Sequence, residues 1–288
     1  MASVKELRLR ITSVGNIQQI TRAMEMVATT KLRRFQDRAI ASRPYTEEIA
    51  GLVSHLAGVL GDDIEGNPLF KRGEGSKTAV LLVSSDRGLC GAYNSNLFAS
   101  LEGWMADRDK AEVDFFVYGK KGYSYLKRRG FNIERLLVEP PLESVDFGNA
   151  ARTAQTLVDA FASGEYADVH VYYSAFQSMA RYDPSVFQLL PLEADESEGG
   201  KPGGDLILEP DAETIFESLI PRYLEVRVYN ALLEALTSEY ASRRMSMKNA
   251  TDAANDMITM LKGRYNRLRQ ESITTDLLDI VGAAEALR

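Results

Sequence analysis

Residues 222–288 read RYLEVRVYNALLEALTSEYASRRMSMKNATDAANDMITMLKGRYNRLRQESITTDLLDIVGAAEALR. These 67 residues hold no proline and only two glycines, Gly263 and Gly282, and nearly all of them follow one helical pattern. At a rise of about 1.5 Å per residue such a helix approaches 100 Å. That is several times the mean helix of a globular domain, so it cannot simply lie on a compact core. The spacing predicts a start at Asp211, as N-cap after Pro210, and a kink at Pro221. Beyond it Leu224, Val228, Leu232, Ala235, Met247, Thr251, Ala254, Ile258, Leu261, Tyr265 and Leu268 recur at helical spacing, with one phase slip near 240–247. Many of these side chains are smaller or more adaptable than a leucine zipper would use.

A second long helix opens the chain. Ser3-Val4-Lys5-Glu6 has the form of a capping box. From there Val4, Leu7, Ile11, Val14, Ile17, Ile20, Met24, Val27, Ala28, Leu32, Phe35 and Ala39 form a narrow stripe that drifts as on a straight helix. Arg22, Arg33 and Arg34 point away from it, and Arg38 flanks it. Pro44 is expected to end or kink the helix near Arg43, and residues 45–60 resume a helical pattern. Each long helix could belong to a helical bundle. With only two such helices and one stripe on each, an antiparallel coiled coil is the economical solution.

Between the rods the period changes. Residues 78–84 (TAVLLVS), 113–118, 132–138, 168–174 and 185–191 are strand candidates, and 94–107, 120–129 and 147–163 are helical ones. Alternation of this kind implies an α/β fold with a mainly parallel, Rossmann-like sheet. The expected layout is a coiled-coil helix over 1–60, the α/β domain over 77–192, a flexible Gly/Pro-rich linker over 193–210, and a coiled-coil helix over 211–288.

Composition narrows the function. The 288 residues are 45% apolar, enough for one ordinary core plus extended elements. A single cysteine, Cys90, excludes an intrachain disulfide and suits a reducing compartment. The opening MASVKELRLR is charged from residue 5 and no apolar run follows, so neither a secretory signal nor a membrane span is expected. The net charge of −7 argues against general nucleic-acid binding. Positive charge gathers on the two rods instead. Arg22, Lys31, Arg33, Arg34, Arg38 and Arg43 against Glu25 and Asp37 leave +4 over 22–43; Arg243, Arg244, Lys248, Lys262, Arg264, Arg267 and Arg269 against Asp252 and Asp256 leave +5 over 243–269.

Three features could carry chemistry. The turn Ser85-Asp86-Arg87-Gly88-Leu89-Cys90-Gly91 follows a strand and precedes a helix, where doubly wound folds bind phosphate. It matches neither phosphate-loop pattern, and a tight structural turn accounts for it better. Cys90 as a nucleophile would need a base, and the only histidines are His55, in a helical region, and His170, in a predicted strand. A buried structural cysteine fits better. Two histidines and one cysteine, widely dispersed, give no metal-ligand spacing, so no metal and no cofactor are expected.

RITSVGNIQQITRAMEMVATTKLRR (10–34), SSDRGLCGAYNSNLF (84–98) and MSMKNATDAANDMITMLKGRYNRLRQESITTDLLDIVGAAEAL (245–287) together resemble the gamma subunit of the F-type proton-translocating ATP synthase. The resemblance spans nearly the whole chain in order. It implies a non-catalytic central rotating shaft in single copy, whose terminal helices form a coiled coil inside three alpha and three beta subunits. The α/β domain would lie near the epsilon subunit and the c-subunit ring, at the cytoplasmic face of a bacterial inner membrane. Chloroplast relatives carry an inserted regulatory cysteine pair, which this chain lacks. By resemblance, Met24 and Arg243 mark the level of an acidic beta-subunit loop, with Arg22, Arg33 and Arg34 adding attraction. Arg269, Gln270 and Thr274 match a polar catch for a second beta-subunit loop.

The residues support a shaft separately. If Pro44 and Pro221 mark one end of the paired region, facing positions add to about 265, Val4 lies opposite Leu261, and 262–288 overhang by about 40 Å. That overhang carries Leu277, Ile280, Val281 and Leu287, an apolar tip that needs another chain around it. Two rival readings remain at this level. A Rossmann-like nucleotide-binding enzyme with coiled-coil arms would use the turn at 85–91. A static coiled-coil adaptor would explain the rods but not the apolar tip.

Overall fold

A computed structural model describes residues 3–61, 67–137, 140–179, 181–192, 209 and 211–286. The chain forms two compact units: one of Met1–Thr29 with Arg243–Arg288, the other of Thr30–Ser242. Helix α1 runs over Val4–Leu60 and α5 over Ala212–Ala286, and each contributes to both units. Most of the linker expected over 193–210 lies outside the described residues, as does Leu287.

The helix starts follow their capping residues. Asp211 accepts from the Thr214 amide at 2.8 Å and its hydroxyl at 3.0 Å. Ser3 Oγ accepts from the Glu6 amide at 3.2 Å, while the Glu6 carboxylate takes Arg10 four residues on rather than completing a reciprocal box. Neither proline ends its helix: Pro44 lies inside α1 and Pro221 inside α5. A proline frees the carbonyl four residues earlier. Here those residues, Ile40 and Glu217, are exposed, so water can take the freed bond.

In the larger unit β1 (Lys77–Val83), β2 (Val113–Tyr118), β3 (Asn132–Leu137), β4 (Tyr166–Ser178) and β5 (Arg181–Leu190) form one sheet in the order β3-β2-β1-β4-β5. The first four strands are parallel, and β5 returns antiparallel along β4. Strands β4 and β5 are longer than the sequence suggested because they pair as a hairpin. All six residues of β2 are buried, as a central strand covered on both faces requires. Side chains alternate across the sheet. Val80, Leu82, Phe115 and Val117 pack with Leu97, Leu101 and Met105 of α2 (Tyr93–Met105) and with Tyr125 and Leu126 of α3 (Lys120–Arg129). Helix α4 (Phe147–Ala162) buries Ala150, Ala154, Leu157 and Phe161.

Within the same unit the rods are bonded to each other and to the sheet. Ser42 Oγ donates to Asn230 Oδ1 at 3.2 Å, Asn230 Nδ2 donates to Thr46 Oγ1 at 2.9 Å, and the Phe35 and Tyr240 rings lie 5.4 Å apart. Leu32, Phe35, Leu56, Leu224, Val228, Leu232 and Leu236 are buried.

The smaller unit is an antiparallel helix pair. Gln18 Nε2 donates to Asn255 Oδ1 at 3.0 Å, and Thr251 Oγ1 to Thr21 Oγ1 at 2.8 Å. The less exposed positions of α1 include 4, 7, 11, 14, 18, 21, 25 and 28, flanked by 15 and 24; those of α5 include 244, 247, 251, 254, 258, 261, 265 and 268. Along each of these series steps of three and four alternate, a heptad seam and so a left-handed supercoil rather than a drifting stripe. Carried from Thr21 and Thr251, the heptads put Val4 level with Leu268. The expected pairing with Leu261 is therefore wrong by seven residues. A shift of one heptad leaves the same seam facing inward, so aligning two prolines could not choose between registers.

Candidate functional site

The turn after β1 is filled by its own chain. At the strand end Ser84 Oγ donates to the Tyr118 carbonyl at 3.1 Å and accepts from the Gly122 amide at 2.8 Å. Gly119 has φ 100°, and a Cβ there would lie 2.1 Å from the Ser84 carbonyl oxygen, so only glycine fits this crossing. The crevice where the strand order reverses, between the ends of β1 and β4, is where doubly wound sheets hold ligands. Here α5 occupies it. Ser242 Oγ donates to the Cys90 carbonyl, Tyr93 Oη to the Ala235 carbonyl at 3.3 Å, and Ser238 Oγ to the Ser174 carbonyl at 3.0 Å. Burial, with Glu239 nearby, pushes the Tyr93 hydroxyl well above its ordinary pKa and keeps it a neutral donor.

Cys90 is 2% exposed, and its sulfur meets Asn94 Nδ2 at 3.2 Å and the Arg87 carbonyl at 3.8 Å. Neither histidine is among these contacts, and a thiol buried this way is shielded from any reactant. Among the described residues no three His, Cys, Asp or Glu side chains are placed to hold a metal. Also among them, no helix is long and apolar enough to cross a membrane.

The surface that asks for a partner is on the smaller unit. In its seam Gln18, Thr21 and Glu25 take inner positions, and the side chains expected there turn outward. Ile17, Ile20 and Val27 are 53%, 59% and 55% exposed. On α5, Met245, Met257 and Met260 are exposed as well. An apolar face of this kind marks a contact surface. Its signal was present in the sequence: the steps Val4, Leu7, Ile11, Val14 continue in strict heptads to 18, 21, 25 and 28, leaving Ile17, Ile20 and Val27 outside.

Past Leu268 every described side chain of α5 is exposed. The described overhang is therefore 269–286, 18 residues and roughly 27 Å, shorter than the proline alignment implied. Leu277, Ile280 and Val281 are 57%, 65% and 58% exposed. Arg269, Gln270 and Thr274 lie exposed at its base, and Thr274 Oγ1 donates to the Gln270 carbonyl at 2.9 Å. That bond leaves the Thr274 oxygen free to accept from another molecule.

The basic positions divide. Arg22, in the smaller unit, and Arg33 and Arg34, in the larger, are exposed as expected. Met24 is half-buried. Arg243 differs: it is 8% exposed and has interactions with its surroundings, so it is not part of an open basic face. Residues 235–243 of α5 are all buried, so the helix is enclosed on every side there and Arg243 with it. The observed register also sets Met24 level with Lys248, roughly five residues or about 7 Å along the axis from Arg243.

The chain matches the ATP synthase family over residues 3–287. It is 37% identical over 289 residues to the ATP synthase gamma chain of Ruthia magnifica subsp. Calyptogena magnifica, covering 100% of both chains. It is 40% identical over 292 residues to that of Actinobacillus pleuropneumoniae serotype 5b, again covering 100% of both. Among solved structures it resembles a chain of the central stalk and c-ring of Tetrahymena thermophila mitochondrial ATP synthase, with TM-score 0.58 and 25% identity over 80% of this chain and 99% of that one. A chain of the Euglena gracilis mitochondrial enzyme shares the fold at TM-score 0.68 and 19% identity, covering 99% and 94%. With two long helices, a mainly parallel sheet and full-length likeness to these relatives, this chain belongs to the ATP synthase gamma-chain family.

Proposed function

We propose that this chain is the central rotating stalk subunit of an ATP synthase, non-catalytic in itself, coupling ion flow through the membrane sector to ATP synthesis and hydrolysis. The observation that carries this reading is the apolar surface of the smaller unit, Ile17, Ile20 and Val27 together with Leu277, Ile280 and Val281 on the overhang, exposed in the isolated chain. Three alpha and three beta subunits would enclose it, with one copy of this chain per complex. The epsilon subunit and the c-ring would meet the α/β unit at the cytoplasmic face of a bacterial membrane.

Coupling follows from differential contact. The helix pair is not symmetric: α1 presents an apolar outer stripe, while Arg22, Lys262, Arg264 and Arg267 are exposed elsewhere on the same unit. Each of three surrounding subunits would meet a different side of it. An equilibrium shifts only by the difference in contact free energy between its states, so turning the pair by a third of a revolution passes each catalytic subunit to the next state. Exposed Arg22, Arg33 and Arg34 would attract acidic loops while staying solvated, so each contact can be released. Met24 would mark the level of one such loop, and Arg269, Gln270 and Thr274 would form a catch for another.

The direct test is whether the tagged chain purifies in single copy with nucleotide-binding subunits present in three-fold repeat. Isolation alone, or as a pair with one such subunit, would contradict the reading. For the catch, Gln270→Leu and Thr274→Val should lower ATP turnover in an intact complex, whereas removal of 280–288 should slow it mildly; the reverse ranking would exchange the two roles.

A further inference from the structure

Glu143 sits on a short 3-10 turn, Leu142–Ser144, between the sheet and α4, and both of its carboxylate oxygens are engaged. Lys31 Nζ of α1 donates to Oε2 at 2.8 Å, and the Tyr240 hydroxyl of α5 donates to the same oxygen. Arg87, in the turn after β1, reaches Oε1 at 3.5 Å. Lys31 also donates to Tyr240 Oη at 3.4 Å. Three separate parts of the larger unit thus converge on one half-buried carboxylate. The flanking residues strengthen the junction: Leu142 and Val145 are buried, Arg38 of α1 donates to the Val145 carbonyl at 3.2 Å, and Asp146 caps α4 through the Asn149 amide at 2.8 Å.

We propose that Glu143 is the positioning residue that locks α1 and α5 to the α/β sheet, making the junction stiff enough for torque to pass between the rods and the sheet. The proposal rests on the stalk reading above. Apolar packing around Phe35 and Tyr240 holds the rods close but resists sliding and twisting weakly, because dispersion contacts are non-directional. Charge-assisted hydrogen bonds supply the missing direction. Burial acts to raise the Glu143 carboxyl, and the bonds from Lys31 and Tyr240 outweigh it, holding the group below its ordinary value and so ionised. Lys31 and Arg87 then have less of their charge free for outside partners. Their first role is inside the chain.

The test assembles the full chain with its nucleotide-binding subunits and follows a bead attached through the α/β unit during ATP-driven rotation. The quantity read is the angular variance of the bead within one dwell, which reports torsional stiffness and which a merely structural residue would not move. Glu143→Gln keeps the side chain's size, removes the ion pairing with Lys31 and Arg87 and leaves the Tyr240 bond neutral, about half as strong as a charge-assisted one, so the variance should widen up to about twofold while unloaded hydrolysis stays unchanged. Tyr240→Phe keeps the ring on Phe35 and should widen it less. The double variant should fall short of the sum of the two single effects, since both changes act on one junction. Unchanged variance in Glu143→Gln, or additive effects in the double variant, would overturn the proposal. If Glu143→Gln failed to assemble, Tyr240→Phe would decide by the same readout. Failure of the unaltered chain to enter the complex would instead overturn the stalk reading itself.

Discussion

The two units use similar helices to opposite ends. In the larger one, Leu32, Phe35, Leu232 and Leu236 are buried, and polar links such as Ser42–Asn230 sit beside an apolar core. In the smaller one, the heptad seam carries Gln18, Thr21 and Glu25, while Ile17, Ile20 and Val27 stand in solvent. The first arrangement maximises buried apolar area and so the stability of the free chain. The second gives up part of that stability and keeps apolar area for another molecule. Polar residues in a heptad seam also specify register at a cost in stability. Stability and contact are therefore assigned to different stretches of the same two helices.

The contrast can be broken most forcefully in the larger unit. Phe35→Ala should destabilise the chain by about 3–5 kcal/mol, because the ring is almost fully buried against Tyr240 and leaves a cavity. Urea unfolding would read it, and a loss below about 1 kcal/mol would mean the rods are held weakly there as well. Arg243→Glu comes next. Placing a carboxylate where a buried guanidinium sits should cost roughly 3 kcal/mol. Exposed Arg22→Glu should stay within about 0.5 kcal/mol by the same assay. Equal effects at the two arginines would show that Arg243 is open to solvent after all.

In the smaller unit the expected sign reverses. Gln18→Leu combined with Asn255→Leu removes both partners of one hydrogen bond, and should raise stability by up to about 1 kcal/mol while loosening the register. Cysteine pairs placed at 21 and 251, and at 21 and 258, would report register by which pair oxidises; the 21–258 pair should form only in the double variant. The smallest expected effect concerns pH. The Glu143 carboxyl lies below its ordinary 4.5 in the folded chain, so its contribution to stability is present above that value and is lost as pH falls through the lowered one. The stability gap between the unaltered chain and Glu143→Gln, measured by urea midpoints, should hold at neutral pH and close in acid. A gap that widened in acid would have the wrong sign.

Periodicity and punctuation made most of the architecture legible. Strand runs such as TAVLLVS, the cap at Asp211 and the alternation of strands and helices come from local rules that the structure obeys. Register was not legible, because heptads repeat and a shift of seven residues preserves every seam contact type. Nor was the burial of Arg243, which lies in a stretch of α5, 235–243, that tertiary packing encloses on every side. Ile17, Ile20 and Val27 belong to the outer face rather than the seam, because apolar side chains also make up protein surfaces and hydrophobicity alone does not imply burial. Glu143 carried no sequence signal at all. Its partners lie at 31, 87 and 240, and only the fold brings them together.

Hydrogen exchange, compared between the free chain and the assembled complex, tests most directly whether stability and contact are divided in this way. In the free chain, amides of 269–286 and of the polar seam around 18–25 should exchange quickly, while those of β1, β2 and 228–240 should exchange slowly. On assembly the first set should become protected and the second should change little. Equal protection of 269–286 in the free and assembled chains would contradict the account, because the exposed apolar tip would then have no partner to meet.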